Sequence, residues 1–280
     1  MVKSRFVTFI MGALVWVGSA DTRGQDYCWL QDYHNDNAIC NVAVAPEGYI
    51  KTLAVCGSFA DWLRHLPLKE DGATVFLYDG RPKGNQAAHW AVIDIDVGDK
   101  DLQQCADAIM RLRAEYLYSR NSYDNIAFNF TSGDTARFRD WIGGMRPDVE
   151  GSRVTWRKSS PVDSSYQSLR KYLDIVFTYA GSYSLNKQLK PVSDIDSLAV
   201  GDVFIQGGFP GHAVIVVDMA THKDTGKKVF LLAQSYMPAQ DMHILKNPKD
   251  AALSPWYSVD FGETLVTPEW VFKRGDAKRF

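Results

Sequence analysis

The histidine at position 212 opens an apolar run inside "GDVFIQGGFPGHAVIVVDMA", residues 201–220. Imidazole is the side chain whose ordinary pKa lets it take and give protons near neutrality. Gly207, Gly208, Pro210 and Gly211 keep bulky side chains off the approach to His212. A base of this kind needs a nucleophile, and a thiol is the strongest one available. Cys105 follows "DLQQ" near the start of a helical pattern. It also shares a stripe with Leu102, Ile109 and Leu112, where a small thiol packs as core. Both roles stay open for Cys105.

The remaining candidates carry less. Cys28, Cys40, Cys56 and Cys105 match no zinc spacing and contain no Cys-x-x-Cys, so no metal and no other cofactor is expected. Cys28 and Cys40 lie near enough in sequence to pair in an oxidising compartment, but spacing does not fix the pairing. His89 opens another strand-like run. His34, His65, His222 and His243 stand in polar or helical surroundings that predict solvation. Trp256, Tyr257 and Trp270 either line a groove for a sugar or peptide or close off a core.

These residues need elements to hold them. Ser58 is a possible cap for a short helix in "GSFADWLRHLPL", where Phe59, Trp62, Leu63 and Leu66 share a face. "TVFLYDG" and "HWAVIDIDV" read as strands. A strong helix runs through "DKDLQQCADAIMRLRAEYLYSR". "IAFNF" predicts a strand and "FRDWIGG" a short helix. "VDSSYQSLRKYLDIVFTYAG" predicts a second long helix, capped by Asp163 or a neighbouring serine and ended by Gly181. "VFLLAQSY" returns as a strand antiparallel to "AVIVVDM" across the turn "THKDTGKK". The tail, "SPWYSVDF" to "PEWVF", reads as aromatic and irregular. The order of elements predicts an α+β fold.

Bulk properties bound the function. The chain has 280 residues and a formal net charge of −2, so no basic excess exists to neutralise nucleic-acid phosphates. Lys3 and Arg5 precede an apolar run from Phe6 to Val17, followed by Gly18 and Ala20 at a plausible cleavage site. Residues 1–20 therefore read as a signal peptide, too short to span a bilayer comfortably. The mature chain is expected to be exported, periplasmic or extracellular, without a transmembrane segment. Residues 21–45 read as a polar lead-in and 46–280 as a single domain. Its N-terminal part is 46–155 and its C-terminal part 156–280, forming one compact body because no linker interrupts them.

From "VDSSYQSL" to "LLAQSY", about residues 160–240, the order of elements resembles the NlpC-type cell-wall endopeptidases, a branch of the papain-like cysteine hydrolases. The resemblance implies a C-terminal antiparallel sheet with a packed helix. It matches Ser164 to the nucleophile, in Asp163-Ser164-Ser165, His212 to the base after "LAVGD", and Gln234 to the residue that orients the ring. The family carries cysteine where this chain has Ser164, and a serine at a helix start is readily explained as a cap. Papain-like enzymes also place a Gln shortly ahead of their Cys, which keeps Cys105 as a second candidate. Across nearly the whole mature chain, "DLQQCADAIMRLRAEYLY", "GDVFIQGGFPGHAVIVVDMA" and "LLAQSYMPAQDMHILKNP" resemble a secreted bacterial family known as a domain of unknown function.

Two readings follow from sequence. The preferred one is a papain-like cleft that binds cell-envelope peptide or glycan without thiol catalysis. The alternative is an active amidase or peptidase using His212, oriented by Gln234, with Ser164 or Cys105.

Overall fold

The computed structural model describes residues 26–280, and the expected signal peptide at 1–20 lies outside them. Among the described residues, nine strands form one antiparallel sheet: β1 (Tyr49–Lys51), β2 (His89–Val92), β3 (Lys190–Pro191), β4 (Val203–Gln206), β5 (His212–His222), β6 (Lys228–Gln234), β7 (His243–Leu245), β8 (Tyr257–Ser258) and β9 (Ala277–Arg279). Their order is β2-β7-β6-β5-β4-β9-β3, with β1 added on the far part of β5 and β8 on the start of β6. The fold is α+β, as the element order predicts.

Strand β5 is central because its run "AVIVV" is β-branched and buried on both sides. Alternation sends Ala213, Ile215 and Val217 into the larger core, and Val214 and Val216 into a second core with Phe204, Phe230 and Phe272. The helices α1 (Ile39–Val42), α2 (Phe59–Arg64), α3 (Cys105–Ser119), α4 (Phe138–Ile142), α5 (Tyr166–Tyr179) and α6 (Ser182–Gln188) complete the chain's main elements. The larger core takes in Ile109 and Leu112 of α3 and Leu169 and Leu173 of α5. Tyr27, Ile39 and Ala43 belong to that same core, so the segment read as a lead-in packs into the body.

Helix α3 begins later than its sequence pattern predicts. Gln104 is the N-cap, and its backbone N–H donates to Asp107 Oδ2 at 3.1 Å. The acids at 99 and 101 lie ahead of the helix, in a turn. Arg111, fully buried, holds that turn against α3. It donates to Gln103 Oε1 at 2.7 Å and to Asp96 Oδ1 at 2.7 Å, and it pairs with Glu115 at 3.2 Å. These contacts meet the requirement that a buried guanidinium be paired.

Two local expectations are corrected, and one further element is present. "TVFLYDG" is no strand: it reverses at Asp79–Gly80, with Leu77 N–H donating to Arg81 O at 2.8 Å, and makes only isolated bridges. The tail is ordered, with a Thr264–Val266/Val271–Lys273 hairpin and β9 beside β4. Met145–Glu150 pairs with Arg153–Lys158 in a hairpin whose second strand alternates half-buried Val154 and Trp156 with exposed neighbours.

Candidate functional site

His212 is 1% exposed, and its Nε2 lies 2.8 Å from Gln234 Oε1. Both side chains leave the sheet on the face toward the tail. Trp270 and Phe272 cover the imidazole, with ring centroids 5.3 and 5.9 Å away, and Tyr236 stands at 4.7 Å. Burial pulls the imidazole down to about 4, against the raising effects of the Gln234 bond and the Glu269 carboxylate.

Gln234 continues the network. Its Nε2 donates to Glu269 Oε2 at 2.8 Å and approaches His243 Nε2 at 3.3 Å. Glu269 Oε2 also accepts from Lys83 Nζ at 2.5 Å, and Oε1 accepts from Asn85 Nδ2 at 3.2 Å. Sequence reading predicts a solvated His243; the structure buries it completely, because β7 lies between β2 and β6. Burial lowers its imidazole to about 3.

Cys105 is the first residue of α3 and is 8% exposed. Burial pushes its thiol up to about 11, and the Asp107 carboxyl adds to this. The N–H groups of Ala106, Ala213 and Cys105 itself work the other way by favouring the thiolate. Cys105 and Ala213 both belong to the larger core, on the face of the sheet opposite the one that His212 leaves. Among the described residues the sulfur and the imidazole share no hydrogen bond. A tie joins the two segments: Ser235 Oγ, next to Gln234, donates to Gln103 O at 3.1 Å, just ahead of Cys105.

A cavity of about 360 Å³ opens beside Cys105, lined also by Gln104, Phe177, Gly208, Phe209 and Met237. Phe209 is 85% exposed at its rim. Gly208, Pro210 and Gly211 form one wall, but His212 does not line this cavity and is covered by aromatic rings, so the glycines do not open an approach to the imidazole.

The structure joins His212 to Gln234 on the tail side of the sheet, sets Cys105 on the helix side, and places Ser164 elsewhere. Ser164 is exposed, and its carbonyl accepts from Tyr118 Oη at 2.9 Å. At roughly 1.5 Å per helical residue, Tyr118 lies about 20 Å along α3 from Cys105. The cap of α5 is the neighbouring serine, Ser165, whose Oγ accepts from Ser168 N at 3.2 Å. Asp218 is held by Arg64 at 2.5 Å and by Lys51, and Asp202 by Arg279 at 2.6 and 2.7 Å, so neither orients His212. Trp256 and Tyr257 are buried core residues. Cys28, Cys56 and Cys105 are free thiols, so Cys28 and Cys40 are not joined. Among the described residues no group of three or more His, Cys, Asp or Glu could hold a metal, and no helix is long and apolar enough to cross a membrane.

Sequence reasoning missed Glu269, Lys83 and His243 as members of the site. Each comes from a separate segment, and no local pattern links them.

The fold and this site define an α+β protein with a helix-start thiol, a buried imidazole and an oriented amide. Residues 39–279 match the model of the family described as domain of unknown function 4846, and the chain belongs to that family. No curated protein and no solved structure matches it.

Proposed function

We propose that the protein is a thiol hydrolase of papain-like architecture, exported and acting on amide bonds of cell-envelope peptides. The observation that carries this is the meeting of two element starts. Cys105 is the first residue of α3 and packs in one core with Ala213, while Gln234 holds His212, the first residue of β5. The preferred sequence reading, binding without thiol catalysis, rests on serine at position 164; the hydrolase reading takes its thiol from Cys105 at the head of another helix.

The chemistry balances with these groups. The step requires substrate binding to bring together a sulfur on the helix side of β5 and a ring on its tail side; Nδ1 of His212 then takes the thiol proton. The thiolate adds to the amide carbon, and the carbonyl oxygen becomes an oxyanion near the positive end of α3. The imidazolium then gives its proton to the leaving amine as the C–N bond breaks. Water, deprotonated by His212, cleaves the thioester and restores the thiol. An envelope peptide is supported by the expected export and by a cavity rim of Phe209 and Met237, which suits a chain with apolar side groups.

A second reading, binding without turnover, draws on one observation. The thiol at about 11 and the imidazole at about 4 are both neutral at pH 7 and share no bond. The test incubates the protein with purified cell-wall peptide fragments and looks for new peptide ends by mass. Cleavage lost in C105A and H212A, and kept in S164A, supports the hydrolase. Retention of fragments with no new ends supports binding alone.

A further inference from the structure

We infer that Glu269, anchored by Lys83, is a positioning residue for His212: it holds the Gln234 amide in the orientation that leaves Nδ1 of His212 unprotonated. Its catalytic consequence rests on the thiol-hydrolase reading; its geometry does not.

The argument is one of donors and acceptors. A carboxylate paired with a lysine only accepts hydrogen bonds. Glu269 Oε2 lies 2.8 Å from one end of the Gln234 amide, so that end is the NH₂. His243 agrees, through a longer and weaker contact that does not hold the amide by itself. Its Nδ1 is 2.9 Å from the carbonyl of Asp241 and must carry the proton, so its Nε2 is an acceptor. That Nε2 faces the same NH₂ at 3.3 Å. The two amide protons are thus both engaged, and Oε1 is left to face His212 Nε2 at 2.8 Å. An oxygen acceptor there requires Nε2–H, which leaves the lone pair on Nδ1. Had the amide turned over, its NH₂ would face Nε2 and place the lone pair there, bonded and useless to a thiol.

Lys83 completes the device. It is almost fully buried, 7% exposed, so its charge needs Glu269, and its ammonium also stands 5.6 Å from the Tyr236 ring. The charged or titratable groups around His212 are Glu269, Lys83, Tyr236, Cys105 and His243, and only Glu269 contacts both Gln234 and Lys83.

The test reads the ring directly. Imidazole ¹⁵N shifts at pH 7 should show His212 as Nε2–H in the wild-type protein. E269A, and K83M/E269A in which no buried lysine is stranded, should show mixed tautomers. Both should alkylate Cys105 with iodoacetamide at least about tenfold more slowly than wild type, with a changed pH profile. E269Q keeps an acceptor oxygen and should restore both readouts. Wild-type His212 found as Nδ1–H overturns the inference, as does an unchanged tautomer in a folded E269A or double variant. A wild-type ring in the Nε2–H form with Cys105 alkylation indifferent to H212A leaves the inference standing and overturns the hydrolase.

Discussion

The indole of Trp270 lies 5.3 Å from the imidazole of His212 and is fixed by its Nε1–H, which donates to Gln206 Oε1 at 3.0 Å. It therefore seals the ring from water from the tail side of the sheet. W270A removes that cover, and the penalty on the charged imidazole falls with it. The pKa of His212 should rise from about 4 toward its ordinary value, as followed by an NMR titration of the ring. An unmoved titration would mean that Tyr236 and Phe272 alone keep the ring dry.

Acid should weaken the fold through two imidazoles. His212 and His243 have folded-state values of about 4 and about 3, below the unfolded value of about 6.5. As pH falls below 6.5 the unfolded chain takes up protons that the folded chain refuses. Their contribution is intact above about 6.5 and is lost progressively toward 4 and 3, on the order of 3 to 5 kcal/mol each. Urea unfolding at pH 7 and pH 5 should show a smaller acid loss in H243Q than in the wild-type protein.

The two adjacent serines should separate cleanly. S165A removes the acceptor for Ser168 N–H and should cost about 1 kcal/mol of stability. S164A should cost much less and leave any hydrolysis intact. Thermal melts and the peptide-fragment assay on both variants check this.

Gly211 has no room for a side chain. A methyl there would meet the carbonyl oxygen of Gln206 at 2.6 Å and the backbone nitrogen of Gly208 at 2.8 Å, besides Ser182 Oγ. Two of these are backbone atoms that cannot turn aside. G211A should destabilise by about 1–3 kcal/mol and displace His212 from Gln234. Chemical denaturation and the His212 ring shifts report the two effects.

The strands that carry His212 and Gln234 were legible because strand alternation is a short-range pattern; the pairing of the two residues came from the resemblance to the NlpC-type order. Two runs joined by a turn put neighbouring strands side by side, and one residue of each faces the other. Cys105 was only half legible. The apolar stripe extends back to Leu102, so the helix reads as starting near Asp99, which buries Cys105 within it. Taking Gln104 as the cap, with Asp107 accepting its N–H, puts the thiol on the first helical residue. Glu269, Lys83 and His243 meet through tertiary contacts between distant segments, and nothing within a window of residues announces that. The three-residue strand Ala277–Arg279 is likewise too short to show a period.

Neighbouring positions on one strand serve opposite layers: Ala213 looks toward the helices and His212 toward the tail. Damage to the molecule should accordingly sort by wall. A lesion under α3 would blunt the sulfur and spare the ring, whereas one around Trp270 or Glu269 would change the ring first and reach the sulfur only through it. Thiol labelling and ring titration, run together, would tell which wall had failed in any inactive variant.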